Sequence, residues 1–218
     1  MTANAARPLG GPTPTTAPIV LFTLFALFVA DSLALRLATG GAHPPRRDDR
    51  DRFSYWTIQA AQLAGLGLAL MAPRWVKAAN VATGTRLFVA AGLVMMLGGI
   101  VLRAWSILTL GRFFDRKVTV QEDHRVVATG PYAWVRHPSY TAVLLAFVGF
   151  GLAQANWLSL AAVLVIPTAA YIRRISVEQR ALTAELGSDY ESYAASHRRL
   201  LPGILLTRSL IDAQTDPA

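Results

Sequence analysis

Apolar residues occupy this chain in long blocks separated by polar stretches, a pattern that predicts helices crossing a lipid bilayer. Residues 17–35 are almost wholly apolar, and at about 1.5 Å of rise per residue they approach the roughly 30 Å hydrocarbon core. A cleaved signal peptide fits this block less well, because it follows a long tail with only Arg7 positive and lacks a clear small-x-small site. Asp31 lies inside it, close enough to Arg36 to suggest local pairing near the interface. Residues 53–72 form a second block, with Gly65 and Gly67 offered for close helix contact, and residues 85–102 a third, with Gly92, Gly98 and Gly99 doing the same. Arg103 and Trp105 suit the interfacial end of that third helix. Residues 138–153 and 157–173, joined by the polar turn Gln154, Ala155, Asn156, predict a tight helical hairpin with arms of about 25 Å.

Composition agrees with a membrane protein: 53% of the 218 residues are hydrophobic. The absence of cysteine excludes disulfides, thiolate metal sites, cysteine nucleophiles and C-terminal prenylation, and no metal is expected. A formal charge of +8 raises nucleic-acid binding, yet only 16% of residues are charged and the cations lie between apolar blocks, where they set topology instead. With five segments and the C-terminus inside, 17 of the 21 Lys and Arg fall on the inner side and four, Arg7, Arg74, Lys77 and Arg86, on the outer. The expected fold is therefore an all-α integral membrane protein of about five transmembrane helices, N-terminus outside and C-terminus cytoplasmic, in a bacterial inner membrane. Residues 1–16, rich in Pro and Gly, read as a disordered tail, 17–107 as three transmembrane helices, 108–204 as the chemically richest part, and 205–218 as a C-terminal tail.

The chemistry-bearing residues gather on the inner side. Short β-branched runs at 117–120 and 125–129 flank the turn at 121–124 and suggest extended segments. Gly130 and Pro131 break the chain, and Pro138 suits a first helical turn. His137 and Tyr140 share a helical face, as do Arg174 and Glu178. Gly187 can end the last helix, with Ser188 and Glu191 capping another that bears Tyr190 and Tyr193. Taken singly, each has an ordinary membrane reading: interfacial histidine, inside anchor, aromatic belt or helix-surface ion pair.

Taken in order, Gln121, His124-Arg125-Val126-Val127, Gly130-Pro131-Tyr132, Arg136-His137-Pro138-Ser139-Tyr140, an apolar hairpin, Arg174-x-x-x-Glu178, Leu182, Gly187, Tyr190 and Tyr193 resemble the isoprenylcysteine carboxyl methyltransferase family and its phospholipid and thiol methyltransferase relatives. The resemblance covers roughly residues 108–204. It implies an S-adenosylmethionine pocket closed by the cytoplasmic connection and C-terminal helices over the hairpin. Gln121, His124, Arg125, Val126, Val127, Tyr132, His137, Pro138, Ser139, Tyr140 and Glu178 are the implied cofactor contacts, and Arg174 the implied catalytic residue on the acceptor side. Two positions depart from the family pattern: Ala142 stands where glycine is usual, and Gln179 where a second acid is usual.

The cofactor's sulfonium, adenine, ribose and amino-acid end call for aromatic faces, a carboxylate and hydrogen-bonding groups. Methyl transfer to a lipophilic or small-molecule acceptor reached from the bilayer is expected, and the resemblance implies carboxyl O-methylation of an isoprenylcysteine-like or other lipophilic acceptor. Phospholipid N-methylation and thiol S-methylation stay open for a chain of bacterial character. So do an NADPH-dependent sterol-type membrane reductase and a non-enzymatic membrane protein with a degenerate pocket.

Overall fold

The computed structural model describes residues 33, 34, 36, 37, 52–114 and 126–200, with side chains from 56 onward in the second stretch. The proposed tails, nearly all of the first apolar block with Asp31, and the turn at 121–124 lie outside these residues. Four long helices follow in order: α1 (Arg52–Trp75), α2 (Thr85–Leu110), α3 (Pro138–Ala153) and α4 (Trp157–Ser196). Among the described residues there is no β-ladder, only isolated bridges pairing Asn80 with Asn156 and Val135 with Arg198. Leu33, Ala34, Arg36 and Leu37 are helical, and Ala34 packs with Ile107 and Phe114 at the end of α2.

Apolar side chains point outward as well as inward. Leu63, Leu87, Val94, Val101 and Val165 are all more than 60% exposed, and only 17% of the most apolar window of α2 is buried, so this helix is not the core of a water-soluble bundle. Among the described residues, α2 with its short 3-10 extension and α4 are long and apolar enough to cross a membrane, while α3, at 16 residues, falls short of that length.

Close backbone contact holds the bundle together. α2 packs against α3, α1 against α4, and α3 against α4. A side chain at Gly99 would place its Cβ 2.6 Å from the Ala142 carbonyl oxygen, and one at Gly92 would lie 2.5 Å from that of Gly149, so both positions require glycine. Ala142, the departure from the family pattern, is fully buried in this interface, its carbonyl facing Gly99. Gly98 and Gly67, also expected at packing faces, are not used this way: Gly98 meets only Leu145 at 3.8 Å, and Gly67 faces open space.

Asn156 closes one end of the bundle. Its side chain accepts from the Ser159 backbone N–H at 2.9 Å, capping α4, and donates to Asn80 Oδ1 at 2.7 Å. The Val81 N–H donates to the Ala155 carbonyl at 2.8 Å, so the 76–84 connection and the hairpin turn lie side by side. α4 runs far past Arg173, where the hairpin arm was expected to end, and carries Arg174, Glu178 and Gln179 on the same rod. Its helical path breaks at Gly187 (φ 53°), a left-handed conformation that glycine adopts without Cβ strain.

Candidate active site

The candidate site lies at the end of the bundle opposite the Asn80 and Asn156 turns. Pro138 starts α3 at a position where its missing N–H costs nothing, which leaves His137 as the flanking residue just outside the helix. The backbone around it is clipped to the C-terminal segment: the Arg136 N–H donates to the Arg198 carbonyl at 2.7 Å and the His137 N–H to that of Arg199 at 3.0 Å. Thr141 Oγ1 adds a bond to the Leu200 carbonyl. Residues about 60 positions apart in sequence therefore hold the backbone at His137 in place.

Tyr140 is the hub. Its hydroxyl donates to Glu178 Oε2 at 2.7 Å and receives a long contact from Arg174 Nε at 3.4 Å. Its ring stacks on His137, with centroids 5.6 Å apart and planes 16° apart, and lies 5.0 Å from the Tyr171 ring. His137 Nδ1 stands 3.8 Å from the same Glu178 oxygen, and its Nε2 meets Gln179 Nε2 at 3.3 Å. Gln179, whose missing charge marked a departure from the family pattern, serves as the amide partner of His137. Arg174 is almost fully buried at 2% exposure, although Glu178 keeps 28% of its side chain open.

Burial lowers the His137 pKa below its ordinary value; Glu178 opposes the shift, and the Arg136 and Arg199 cations reinforce it. A lowered pKa favours the neutral ring, which has one nitrogen free to accept a hydrogen bond such as that from the Gln179 amide. Burial also lowers the Arg136 pKa and raises that of Tyr132.

Of the residues expected from sequence, the structure brings His137, Tyr140, Arg174 and Glu178 together. Pro138 and Ser139 are buried in the first turn of α3, and Arg103 of α2 donates to both the carbonyl and the hydroxyl of Ser139. Tyr132 is buried in the 3-10 turn Gly130–Ala133, and its carbonyl accepts from the Tyr193 hydroxyl at 2.7 Å. Val126 and Val127 lie in irregular backbone, and Gln121, His124 and Arg125 fall outside the described residues. Arg103, read from sequence as an interfacial anchor, is thus a strut of the site. Tyr171 and its partner Gln62 were not anticipated, although a glutamine inside an apolar block was a signal available in the sequence. A shallow surface depression touching Phe88, Trp157 and Leu160 lies at the far end of the bundle and has no ionisable side chain in its lining.

Comparison with known proteins bears on the same region. Residues 91–184 match the isoprenylcysteine carboxyl methyltransferase (ICMT) family. That match begins within α2, ahead of the resemblance read from the motifs, and ends before Tyr190 and Tyr193. A probable protein-S-isoprenylcysteine O-methyltransferase of Oryza sativa subsp. indica is 32% identical over 115 residues, covering 52% of this chain and 60% of that protein. Protein-S-isoprenylcysteine O-methyltransferase B of Arabidopsis thaliana is 35% identical over 105 residues, covering 47% and 53%. The matched stretch thus spans less than two thirds of either relative. The fold resembles a solved eukaryotic intramembrane Ras methyltransferase, an isoprenylcysteine carboxyl methyltransferase, with a TM-score of 0.69 at 22% identity over 90% of this chain and 70% of that one. The segment that supplies His137, Tyr140, Arg174 and Glu178 lies within residues 91–184, the stretch similar to the isoprenylcysteine carboxyl methyltransferase family.

Proposed function

We propose that this protein is an integral-membrane S-adenosylmethionine-dependent methyltransferase whose favoured reaction is carboxyl O-methylation of an isoprenylcysteine-like or other lipophilic acceptor. The observation that carries this reading is the array of Arg174, Tyr140 and Glu178 beside His137. It combines a buried cation, stacked aromatic faces and a partly open carboxylate within one cluster.

These residues fit the cofactor chemically. A sulfonium is attracted by an aromatic face and by a carboxylate, and Tyr140 and Glu178 supply them. In this reading His137, Pro138, Ser139 and Tyr140, with Tyr132, Val126 and Val127 and the neighbouring Gln121, His124 and Arg125, surround the cofactor. When bound, S-adenosylmethionine supplies an activated methyl group whose departure leaves a neutral thioether. The acceptor carboxylate is already ionised at pH 7, so no side chain has to remove a proton. Arg174 then holds and aims that carboxylate through its guanidinium fork, and fixed orientation provides much of the rate. The Tyr140 hydroxyl contacts Arg174 Nε and helps to restrain the guanidinium.

The same proposal sets the protein across a bacterial inner membrane in five segments, N-terminus outside and site cytoplasmic. The 17 to 4 division of Lys and Arg supports it, as does the gathering of both short turns at the end away from the site. Residues 17–107 then provide three spans and 108–204 the catalytic core, between tails at 1–16 and 205–218.

Calorimetry of the detergent-purified full chain with S-adenosylmethionine and with NADPH tests the reading. Binding of the former, with transfer of a methyl group to an N-acetylated S-prenylcysteine as a base-labile ester, is the expected result. Binding of NADPH alone, or transfer only to amine or thiol acceptors, overturns it.

A further inference from the structure

The polar network extends beyond the segment shared with the family. Gln62 of α1 lies outside residues 91–184, and its Nε2 donates to the Tyr171 hydroxyl of α4 at 2.6 Å. Tyr171 is 3% exposed, and its ring lies against that of Tyr140, the hub of the site. Arg174 follows three residues later on α4, on the same helical face as Tyr171. A primary amide within an apolar helix is costly unless bonded, and Leu63, the next residue, is 72% exposed on the lipid-facing side.

Towards the opposite end, α1 and α4 close against each other. A Cβ at Gly65 would lie 3.3 Å from the Ala162 carbonyl and from the Pro167 ring, and Ser159 Oγ donates to the Ala69 carbonyl at 2.7 Å. Gln62 and Tyr171 therefore stand where this tight seam meets the site: on one side the helices touch, on the other lie Tyr140 and Arg174.

We propose that Gln62 is a positioning residue for the methyl acceptor, acting through Tyr171: its amide sets the Tyr171 ring against Tyr140 and so fixes the wall beside which Arg174 receives the acceptor carboxylate. This rests on the methyltransferase reading above and adds α1 to the acceptor site.

The test uses detergent-purified full chain with an N-acetylated S-prenylcysteine as acceptor, comparing Gln62→Met, Tyr171→Phe and the double variant. Both single changes remove the same hydrogen bond while keeping side-chain volume. Each should raise KM for the acceptor roughly 5- to 10-fold and leave S-adenosylmethionine affinity unchanged. The double variant should be no worse than either single one, because the bond is lost only once. Wild-type KM in Gln62→Met, additive effects in the double variant, or an equal loss of S-adenosylmethionine affinity would each overturn the assignment. Should Gln62→Met fail to accumulate, Tyr171→Phe probes the same bond, and wild-type KM there overturns it equally. A wild-type chain that transfers no methyl group overturns the methyltransferase reading, and this inference with it.

Discussion

The Tyr140 hydroxyl donates to Glu178 Oε2 at 2.7 Å, tying the first turn of α3 to the middle of α4 across 38 residues of sequence. This one bond orients a carboxylate, restrains an aromatic ring that also stacks on His137, and presents a hydroxyl to Arg174. Hydrogen bonds to an ionised group are stronger than neutral ones, especially where water is scarce. Tyr140→Phe should therefore weaken S-adenosylmethionine binding roughly 10- to 100-fold, measured by calorimetry. Glu178→Ala and His137→Ala should also lose affinity while keeping a cooperative melt, and wild-type affinity in all three would remove these residues from the cofactor site.

Arg174→Ala should impair turnover far more than cofactor affinity. Removing a charged hydrogen-bond donor from a water-poor site costs about 2 to 4 kcal/mol, or roughly 30- to 1,000-fold in kcat/KM. Arg174→Lys should recover only part of this, since an ammonium keeps the charge and loses the planar fork. With a carboxylate acceptor the rate should stay nearly flat above about pH 6, whereas amine methylation should climb toward the amine pKa. A steep alkaline rise with Arg174→Ala unimpaired would refute the carboxylate assignment.

His137 links stability to pH. Its pKa is depressed in the folded protein by burial, with Glu178 opposing and Arg136 and Arg199 assisting. Between the folded and unfolded pKa values the unfolded chain therefore binds more protons, and stability rises with pH. The contribution is fully present above about pH 6.5, the unfolded histidine value, and is lost as pH falls below it. Melting temperatures from pH 7.5 to pH 5 should fall in the wild type and fall less in His137→Gln; parallel curves would show that another group is responsible.

Two adjacent glycines in α2 should respond differently to alanine. At Gly99 the new Cβ would stand 2.6 Å from a backbone carbonyl of α3, so the helices must separate, costing about 1 to 3 kcal/mol. At Gly98 it would meet only the Leu145 side chain at 3.8 Å, and alanine should be neutral or mildly stabilising. Thermal denaturation of the two variants in detergent measures the difference directly.

A reporter fused after Ala218 should be active only when it reads the cytoplasmic side. Activity restricted to the outer side would invert the proposed map, because the 17 to 4 division of basic residues leaves little room for mixed topology.

Membrane character and helix placement were legible along the chain because hydrocarbon imposes local rules: each span must be long, apolar and internally hydrogen-bonded. The bounds of α3, the start of α4 at its Asn156 cap and the break at Gly187 follow from residues that act on their own backbone. The grouping of His137, Tyr140, Arg174 and Glu178 was legible through an ordered motif. Helical periodicity alone paired only His137 with Tyr140 and Arg174 with Glu178.

Tertiary structure decided what depends on contacts between distant segments. Periodicity offered five glycines for packing across α1 and α2 and could not say which face meets a neighbour; only Gly65, Gly92 and Gly99 lie close against one, because only there do two backbones converge. Gln179 was read as a lost charge, yet it partners His137 because α3 and α4 pack against each other. Arg103 and Gln62 belong to helices outside the motif, and their partners, Ser139 and Tyr171, are 36 and 109 residues away. Sequence spacing carries information about the next few turns of the same helix; a hydrogen bond between helices depends on how the whole bundle packs.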